Sequence, residues 1–183
     1  MDLRAEKELV KKAQRDPEAF SLLYEDNYSK IFSYVLKRTA NVEIAQDVTS
    51  ETFFKALKNI KRFSWKNISL SCWLYRIASN EIVNYFRKNK YKCVSFDKIA
   101  EPSSFLTPQT DVMEAEDELK KQKEFLEIHQ KISQLPDIYQ KVIVLRFFEK
   151  KMVKEISEIL GKKEGTIKSL IHRGLEKLRK LVK

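Results

Sequence analysis

Apolar side chains recur at three- and four-residue steps along most of this chain, and that spacing places them on one face of an α-helix. Strand-like alternation is scarce, and only 3 Gly and 4 Pro interrupt the 183 residues. Hydrophobic residues make up 43% of the chain, which is enough for real cores. We therefore predict an all-α protein, with room for one domain or two small ones.

The net charge of +10 is unevenly distributed. Residues 1–92 carry 18 basic and 11 acidic side chains, residues 93–127 carry 4 and 9, and residues 128–183 carry 14 and 6. Two basic blocks therefore flank an acidic segment, and a polyanion such as nucleic acid is the natural partner of the basic blocks. A basic total alone is weak support, because lysine-rich surfaces also serve solubility.

Other classes of protein find little support in the sequence. No apolar run approaches the roughly eighteen residues of a membrane span, and the start lacks the apolar core of a signal peptide. We predict a cytoplasmic protein without membrane insertion. Cys72, Cys93, His129 and His172 form no metal-ligand spacing, so we predict two ordinary reduced thiols, no metal and no cofactor. With no nucleophile–base set and no phosphate-binding glycine loop, an enzyme is not expected.

The helical pattern stops once along the chain. It fades between Cys93 and Asp111, where Pro102 and Pro108 indicate an extended segment. We predict two small helical domains, residues 1–92 and 112–183, joined by a flexible acidic linker at 93–111. The linker has two interpretations, a solvated tether or a nucleic-acid mimic.

The C-terminal stretch "VKEISEILGKKEGTIKSLIHRGLEKLR" predicts a short helix, a tight turn at Gly161 and a second helix, which together form a helix-turn-helix. Lys168 and His172 share a polar side of the second helix, as do Ser169 and Arg173. Such a helix can enter the major groove and contact base edges, while nearby cations neutralise phosphates. The alternative is a plain helical hairpin with a solvated charged face.

These residues also carry a family resemblance. "LPDIYQKVIVLRFFEKKMVKEISEILGKKEGTIKSLIHRGLEKLR" resembles domain four of bacterial extracytoplasmic-function sigma factors. "AFSLLY", "AQDVTSETFFKAL" and "RF…WLYRIASN" resemble domain two of the same family, in the same order. The resemblance implies a non-enzymatic subunit that binds core RNA polymerase and directs it to promoters. A stand-alone helix-turn-helix regulator is the alternative, although the sequence shows neither a dimer interface nor a sensor domain.

The resemblance implies two roles for domain two. It would bind the clamp of the largest catalytic subunit through the segment that matches the family's "DLVQEVF", where serine replaces glutamine. The residues expected at the polymerase are Asp47, Ser50, Glu51 and Lys55. It would also hold the separated −10 strand, which requires a pocket, stacking partners and cations. The residues expected at that strand are Lys61, Arg62, Phe63, Ser64, Trp65, Lys66, Asn67, Arg76, Asn80, Asn84, Arg87 and Lys88.

The two tryptophans are interpreted differently. Trp65 lies in the loop Phe63–Ser71, which resembles the family's specificity loop, and stacking on a base or partial burial in the core are both open for it. Trp73 lies on the apolar stripe of its helix, so we predict that it belongs to the core.

For domain four the resemblance implies reading of the −35 duplex and contact with the flap of the second large polymerase subunit. The residues expected at the duplex are Lys162, Lys163, Thr166, Lys168, Ser169, Leu170, His172, Arg173 and Lys177. An anti-sigma partner is also implied, and such a partner could hold the chain at the membrane.

The chain departs from the family pattern at several positions of domain four. Leu170 replaces an arginine that could contact guanine, so we predict a −35 preference that differs at one base. Met152 and Lys163 stand where the family favours a capping Ser or Thr, which predicts modest stability of this domain. Lys150 replaces a common turn glycine.

Overall fold

The computed structural model describes residues 2–89 and 126–182. The predicted linker at 93–111 and the first residues of the predicted second domain lie outside the described residues. Within the described part the chain is helical and contains no strand, as predicted. The α-helices are α1 (Leu3–Ala13), α2 (Phe20–Thr39), α3 (Val42–Asn59), α4 (Leu70–Asn89), α5 (residues 126–133), α6 (Asp137–Ile143), α7 (Val153–Leu160) and α8 (Glu164–Val182).

Domain two, the N-terminal helical domain, is built from α1 to α4, of which α2, α3 and α4 pack against one another. Short 3₁₀ turns at Pro17–Ala19 and Ile60–Arg62 lead into α2 and out of α3. The core consists of fully buried side chains on these helices. They include Leu23, Ile31, Tyr34, Val35, Leu74 and Ile82.

A buried carboxylate orients α4, the helix that carries most of the predicted −10 residues. Glu6 on α1 accepts hydrogen bonds from the Ser69 hydroxyl at 2.9 Å and from the Leu70 backbone N–H at 3.1 Å. Burial, opposed by these two hydrogen bonds, raises the pKa of Glu6. The carboxylate therefore caps the start of α4 and links it to α1.

Domain four, the C-terminal helical domain, is built from α5 to α8. A π-helical segment, Val144–Phe148, continues α6, and α8 packs across α6. Gly174 permits this close approach, because a Cβ at this position would lie 3.1 Å from the Ile143 side chain. The core of the domain is again aliphatic. It includes Val142, Ile143, Leu145, Ile156, Ile159 and Ile167.

The first helix of the helix-turn-helix is capped in part. As predicted, the Met152 side chain makes no capping hydrogen bond. The Glu155 carboxylate accepts from the Met152 backbone N–H at 2.8 Å, which is one half of a capping box. This hydrogen bond offsets part of the missing cap, and the modest stability of domain four stays a prediction.

The turn before α7 contains a strained lysine. Lys150 has a φ of +52°, in the left-handed region where glycine is favoured. We expect Lys150→Gly to raise the free energy of unfolding by about 0.5–1 kcal/mol, because relief of strain outweighs the added entropy of the unfolded chain. Chemical denaturation measures the change. Lys154→Gly, at an exposed position in the first turn of α7, is the matched control and should lower stability by up to about 1 kcal/mol. A loss of stability in both variants would contradict the prediction.

Candidate nucleic-acid interfaces

The C-terminal helix pair has the geometry predicted for a helix-turn-helix. α7 ends at Gly161, whose φ of +62° lies in the left-handed region, and its N–H donates to the Ser157 carbonyl. Ile156, Ile159 and Ile167 are buried between the helices. The second helix, α8, can therefore present its outer side as a rigid unit.

Most residues predicted to contact the −35 duplex are exposed on α8 or on the turn before it. Two of them have local contacts: the Ser169 hydroxyl donates to the Gly165 carbonyl at 3.1 Å, and the His172 Nε2 lies 3.5 Å from the Glu176 carboxylate. The exposed members of the set are Lys162, Lys163, Thr166, Lys168, Ser169, His172, Arg173 and Lys177. Together they form a basic outer face suited to a DNA groove.

Leu170 differs from the rest of this set. Its side chain is half-buried and packs against the hydrophobic core, because it lies three residues after buried Ile167 and beside Ile171. Only part of it can face DNA, and a contact of this side chain with a base stays a prediction.

The −35 prediction at Leu170 nevertheless has a direct test. A leucine cannot donate hydrogen bonds to guanine, whereas an arginine could do so through its guanidinium. For the unaltered chain, selection from randomised duplexes should return a base other than guanine at the position that faces residue 170. The Leu170→Arg variant should favour guanine at the facing position by about 1–3 kcal/mol. Recovery of guanine by the unaltered chain would contradict this prediction.

An open cavity of about 500 Å³ lies on domain two, between the end of α3, the loop after it and α4. Half of the residues predicted at the −10 strand line this cavity. They are Arg62, Phe63, Ser64, Lys66, Arg76 and Asn80. The cavity combines aromatic and aliphatic walls with basic and amide groups, as an extruded base and its phosphates require.

Both tryptophans are half-buried and pack against the core, but of the two Trp73 alone lines the cavity. Trp73, predicted for the core, is half-buried and lines the cavity, with its ring centroid 4.8 Å from that of Phe63. Trp65 packs against the core, and its centroid is 6.4 Å from that of Phe63. The periodicity placed Trp73 on the apolar stripe correctly, but the edge of that stripe opens into the cavity.

The remaining predicted −10 residues lie around the cavity or beyond it. Lys61 and Asn67 are exposed in the loop, where Asn67 adopts a left-handed φ of +55°. Arg87 and Lys88 are exposed on the second half of α4, and Arg87 donates to the Asn84 side chain at 3.1 Å. These last three residues extend the basic surface along α4 without lining the cavity.

Lys55 was grouped with the polymerase contacts, but the structure places it at the cavity. Its Nζ lies 2.6 Å from the Glu81 carboxylate and 3.2 Å from that of Glu51. The hydrogen bond with Glu81, with a smaller one to Glu51, raises the pKa of Lys55 despite some burial. Lys55 therefore lies between the cavity and the exposed side of α3 that carries Glu51, and it remains charged.

The other residues predicted at the polymerase share an exposed side of α3. Asp47, Ser50 and Glu51 are all exposed, and they follow one another at helical spacing. Phe54 continues this row and leaves 61% of its surface exposed, although sequence reasoning missed it. A phenylalanine seven residues after Asp47 and four after Ser50, on a polar helix side, was the available signal. The row combines two carboxylates with one large apolar side chain.

The two domains contact each other through polar groups of α2, α4 and the loop before α4 in domain two and of α6, α7 and the turn before α7 in domain four. Glu149 of domain four accepts from Lys37 at 2.9 Å and from the Tyr75 hydroxyl at 2.7 Å. Arg38 donates to Asp137 at 2.7 Å. Arg76 donates to the Ile159 and Glu158 carbonyls, and the Lys66 Nζ lies 3.6 Å from the Glu158 carboxylate. We call this set of hydrogen bonds and ion pairs the interdomain contact.

Cys72 lies beside this contact and is buried. Burial raises the pKa of Cys72 to about 12, so its thiol stays protonated at neutral pH. Cys93 lies outside the described residues. Among the described residues no His, Cys, Asp and Glu side chains group as a metal site, and none of the helices there is long and apolar enough to span a membrane.

The fold and the two surfaces define a class: a two-domain helical protein with one helix-turn-helix and one groove suited to single-stranded nucleic acid. Two family models match the chain, Sigma-70 region 2 over residues 23–91 and Sigma-70 region 4 over residues 125–178. The chain is 33% identical to the ECF RNA polymerase sigma factor SigW of Bacillus subtilis (strain 168), over 98% of this chain and 97% of that protein. It is 32% identical to the RNA polymerase sigma factor YlaC of the same organism, over 86% and 88%.

Solved structures share the fold at lower sequence identity. CnrH, in complex with the cytosolic domain of CnrY, matches with a TM-score of 0.72 and 18% identity, over 97% of each chain. The sigma factor RpoE of Bartonella quintana, in complex with the anti-sigma factor NepR, matches with a TM-score of 0.66 and 18% identity, over 89% of this chain and 96% of that one. The chain belongs to the extracytoplasmic-function sigma factors of the Sigma-70 family.

Proposed function

We propose that this chain binds core RNA polymerase and directs it to promoters with its own −10 and −35 sequences, and that it acts without catalysing a reaction. The cavity on domain two is the single observation that supports this proposal most. A regulator that reads only duplex DNA needs no groove for a single base, whereas a protein that opens a promoter does.

The residues that line the cavity suggest a different role for each in binding the −10 strand. Trp73 and Phe63 offer stacking surfaces, Asn80 offers an amide for the edge of a base, and Arg76 and Lys66 offer cations for the backbone. The basic patch of Arg87 and Lys88 would guide the strand away from the cavity. In domain four, the exposed side chains of α8 would enter the major groove of the −35 duplex.

The exposed row on α3 is the proposed polymerase surface. Asp47 and Glu51 supply negative charge for a basic partner, and Phe54 supplies an apolar contact at the centre of the row. By resemblance to the family, the segment that contains this row would bind the clamp of the largest polymerase subunit. We propose that the flap of the second large subunit binds domain four.

An anti-sigma factor is the further partner that we propose. One solved structure with the same fold is such a complex by its description, RpoE with the anti-sigma factor NepR, and another, CnrH, is bound to the cytosolic domain of CnrY. We place the chain in the cytoplasm, where polymerase is found, and an anti-sigma factor could hold it at the membrane.

The proposed function is tested by transcription in vitro with sigma-free core polymerase and a pooled promoter library. We expect initiation at a defined set of start sites that requires the chain, and the library then yields both promoter elements. Absence of initiation, with tight binding of duplex DNA by the chain alone, would support the stand-alone regulator instead. We also propose that residues 1–92 recognise the −10 element and that residues 112–183 recognise the −35 element. Exchanging either segment with that of a relative tests this assignment, because the exchanged segment should bring its own element preference.

A further inference from the structure

Gln14, the C-terminal cap of α1, holds the start of the loop between α3 and α4, residues 60–69. Its side-chain nitrogen Nε2 donates to the Ile60 carbonyl at 3.1 Å and to the Phe63 carbonyl at 2.8 Å. An amide nitrogen carries two hydrogens, so both donors of the side chain are used. The backbone of Phe63, whose ring lines the cavity, is thereby fixed by a residue of another helix.

Glu6, two turns earlier on α1, holds the end of the same loop. Its carboxylate accepts from the Ser69 hydroxyl at 2.9 Å and from the Leu70 backbone N–H at 3.1 Å. Glu6 is buried, so its loss would leave these two donors without a ready replacement from water. Glu6 and Gln14 are eight residues apart, so they share one side of α1 with about 12 Å between them along the helix axis. The two side chains of α1 therefore fix both ends of the loop.

The loop has little regular structure of its own to fix its shape. After the short turn at Ile60–Arg62, residues 63–69 belong to no helix. Asn67 adopts a φ of +55°, a left-handed conformation that residues with a side chain rarely adopt. Such a conformation persists only where the surrounding contacts hold it. The hydrogen bonds from α1 are contacts of this kind at both ends of the loop.

α1 itself stands outside the proposed −10 groove. Neither Glu6 nor Gln14 is among the residues that line the cavity, whereas their partners Phe63 and Ser69 are. The Sigma-70 region 2 model begins to match at residue 23, after the end of α1. The family match therefore assigns no role to this helix, and its hydrogen bonds with the loop are the basis for one.

We propose that α1 controls base recognition at the −10 strand: Glu6 and Gln14 are positioning residues that hold the loop in the shape that accepts one extruded base. The inference rests on the proposed −10 role of the cavity. Phe63 is the link, because its carbonyl is bound by Gln14 while its ring centroid lies 4.8 Å from that of Trp73. Aromatic stacking accepts any base, so a released loop still binds a strand but discriminates less between bases.

The first experiment follows the loop without DNA or polymerase, so its result does not depend on the sigma function. Gln14→Met keeps the length of the side chain but cannot donate a hydrogen bond. In the full-length chain, deuterium exchange of the peptide that covers residues 60–69 should become about tenfold faster, as expected when two hydrogen bonds are lost. Gln130→Met, the same change at an exposed position of α5, is the matched control and should leave this exchange unchanged. Equal exchange in the two variants would overturn the proposal.

The second experiment measures initiation with core polymerase on promoters that are randomised in the −10 element. We expect Gln14→Met to lower the preference for the favoured base by about tenfold at one −10 position, with an unchanged −35 preference. A chain that is merely less stable would lose initiation at all promoters alike and keep its preference. An unchanged −10 preference in the folded variant would overturn the proposal. Absence of initiation by the unaltered chain would refute the proposed function and the −10 role of α1 with it, whereas the exchange experiment is decided independently.

Glu6 is tested in the same two assays by a pair of variants. Glu6→Leu removes both acceptors, whereas Glu6→Gln keeps an amide oxygen that can accept from Ser69 and Leu70. Glu6→Leu should behave as Gln14→Met does, and Glu6→Gln should retain the loop exchange and the base preference of the unaltered chain. Circular dichroism verifies the fold, and Gln14→Met decides the test if Glu6→Leu does not fold. The same base preference in the two folded Glu6 variants would overturn the role of Glu6.

Discussion

Reversing the charge of the α3 row is expected to abolish promoter-dependent transcription. The double variant Asp47→Lys and Glu51→Lys places two cations where the proposed polymerase surface has two carboxylates. Like charges at a binding surface repel, and removal of central charged contacts commonly costs 2–5 kcal/mol, so we expect core polymerase binding to fall by about a hundredfold or more. Fluorescence anisotropy with labelled core polymerase measures the affinity, and run-off transcription measures the activity.

The control for this variant is Glu8→Lys, which reverses an exposed charge on α1 away from the row. It should retain both polymerase binding and transcription. The double variant should still bind randomised duplex DNA at least as well as the unaltered chain, since α8 is untouched and net positive charge has risen. Normal polymerase affinity in the folded double variant would show that the clamp contact lies elsewhere.

Removing the cavity tryptophan is expected to impair promoter opening. Trp73→Ala deletes the ring that faces Phe63 across the wall of the cavity. Base–aromatic stacking contributes about 1–3 kcal/mol, so we expect open complexes to decrease by about tenfold to a hundredfold. Permanganate reactivity of unpaired thymines measures opening, while duplex binding through α8 should be unchanged.

Trp65→Ala is the matched control, because it removes the same kind of side chain from the same neighbourhood without altering the cavity lining. It should leave opening within about threefold of the unaltered chain, less than one stacked base contributes. Trp73→Phe should restore part of the activity because it keeps an aromatic face. If Trp65→Ala impaired opening and Trp73→Ala did not, Trp65 would be the stacking residue and Trp73 would have only a structural role. Thermal unfolding of each variant separates loss of function from loss of fold.

Much of the fold could be predicted because helical periodicity records burial within each helix. The spacing of Ile156, Leu160 and Ile167 correctly predicted the helix-turn-helix, and the polar spacing on α8 correctly predicted an exposed side. Those inferences need only the geometry of one helix and its nearest neighbour in sequence. The family resemblance then predicted that domain two precedes domain four along the chain.

The surroundings of residues at the borders between the buried and exposed sides of helices could not be predicted. Trp73, Leu170 and Lys55 each lie at such a border, and a period of 3.6 cannot decide which neighbour will stand beside them. Trp73 lines a cavity, and Leu170 packs against the core. Lys55 forms an ion pair with Glu81 of another helix. These outcomes depend on the packing of helices that are far apart in the sequence.

The interdomain contact was beyond prediction for a related reason. Arg76 and Glu149 both look like ordinary solvated charges in the sequence, because nothing within their own helices requires a partner. Their partners are 83 and 74 residues away along the chain. A single sequence contains no periodic signal for pairs at such separation.

The hydroxyl of Tyr75, hydrogen-bonded to Glu149, has a consequence for how the chain unfolds. Its ring is 1% exposed in the core of the N-terminal domain, and it packs edge-on against Tyr34 at 5.1 Å, while its oxygen is held by the C-terminal domain. A local opening of either domain must first release this shared side chain. Amide protons of α4 and α7 should therefore exchange with deuterium at linked rates in the free chain.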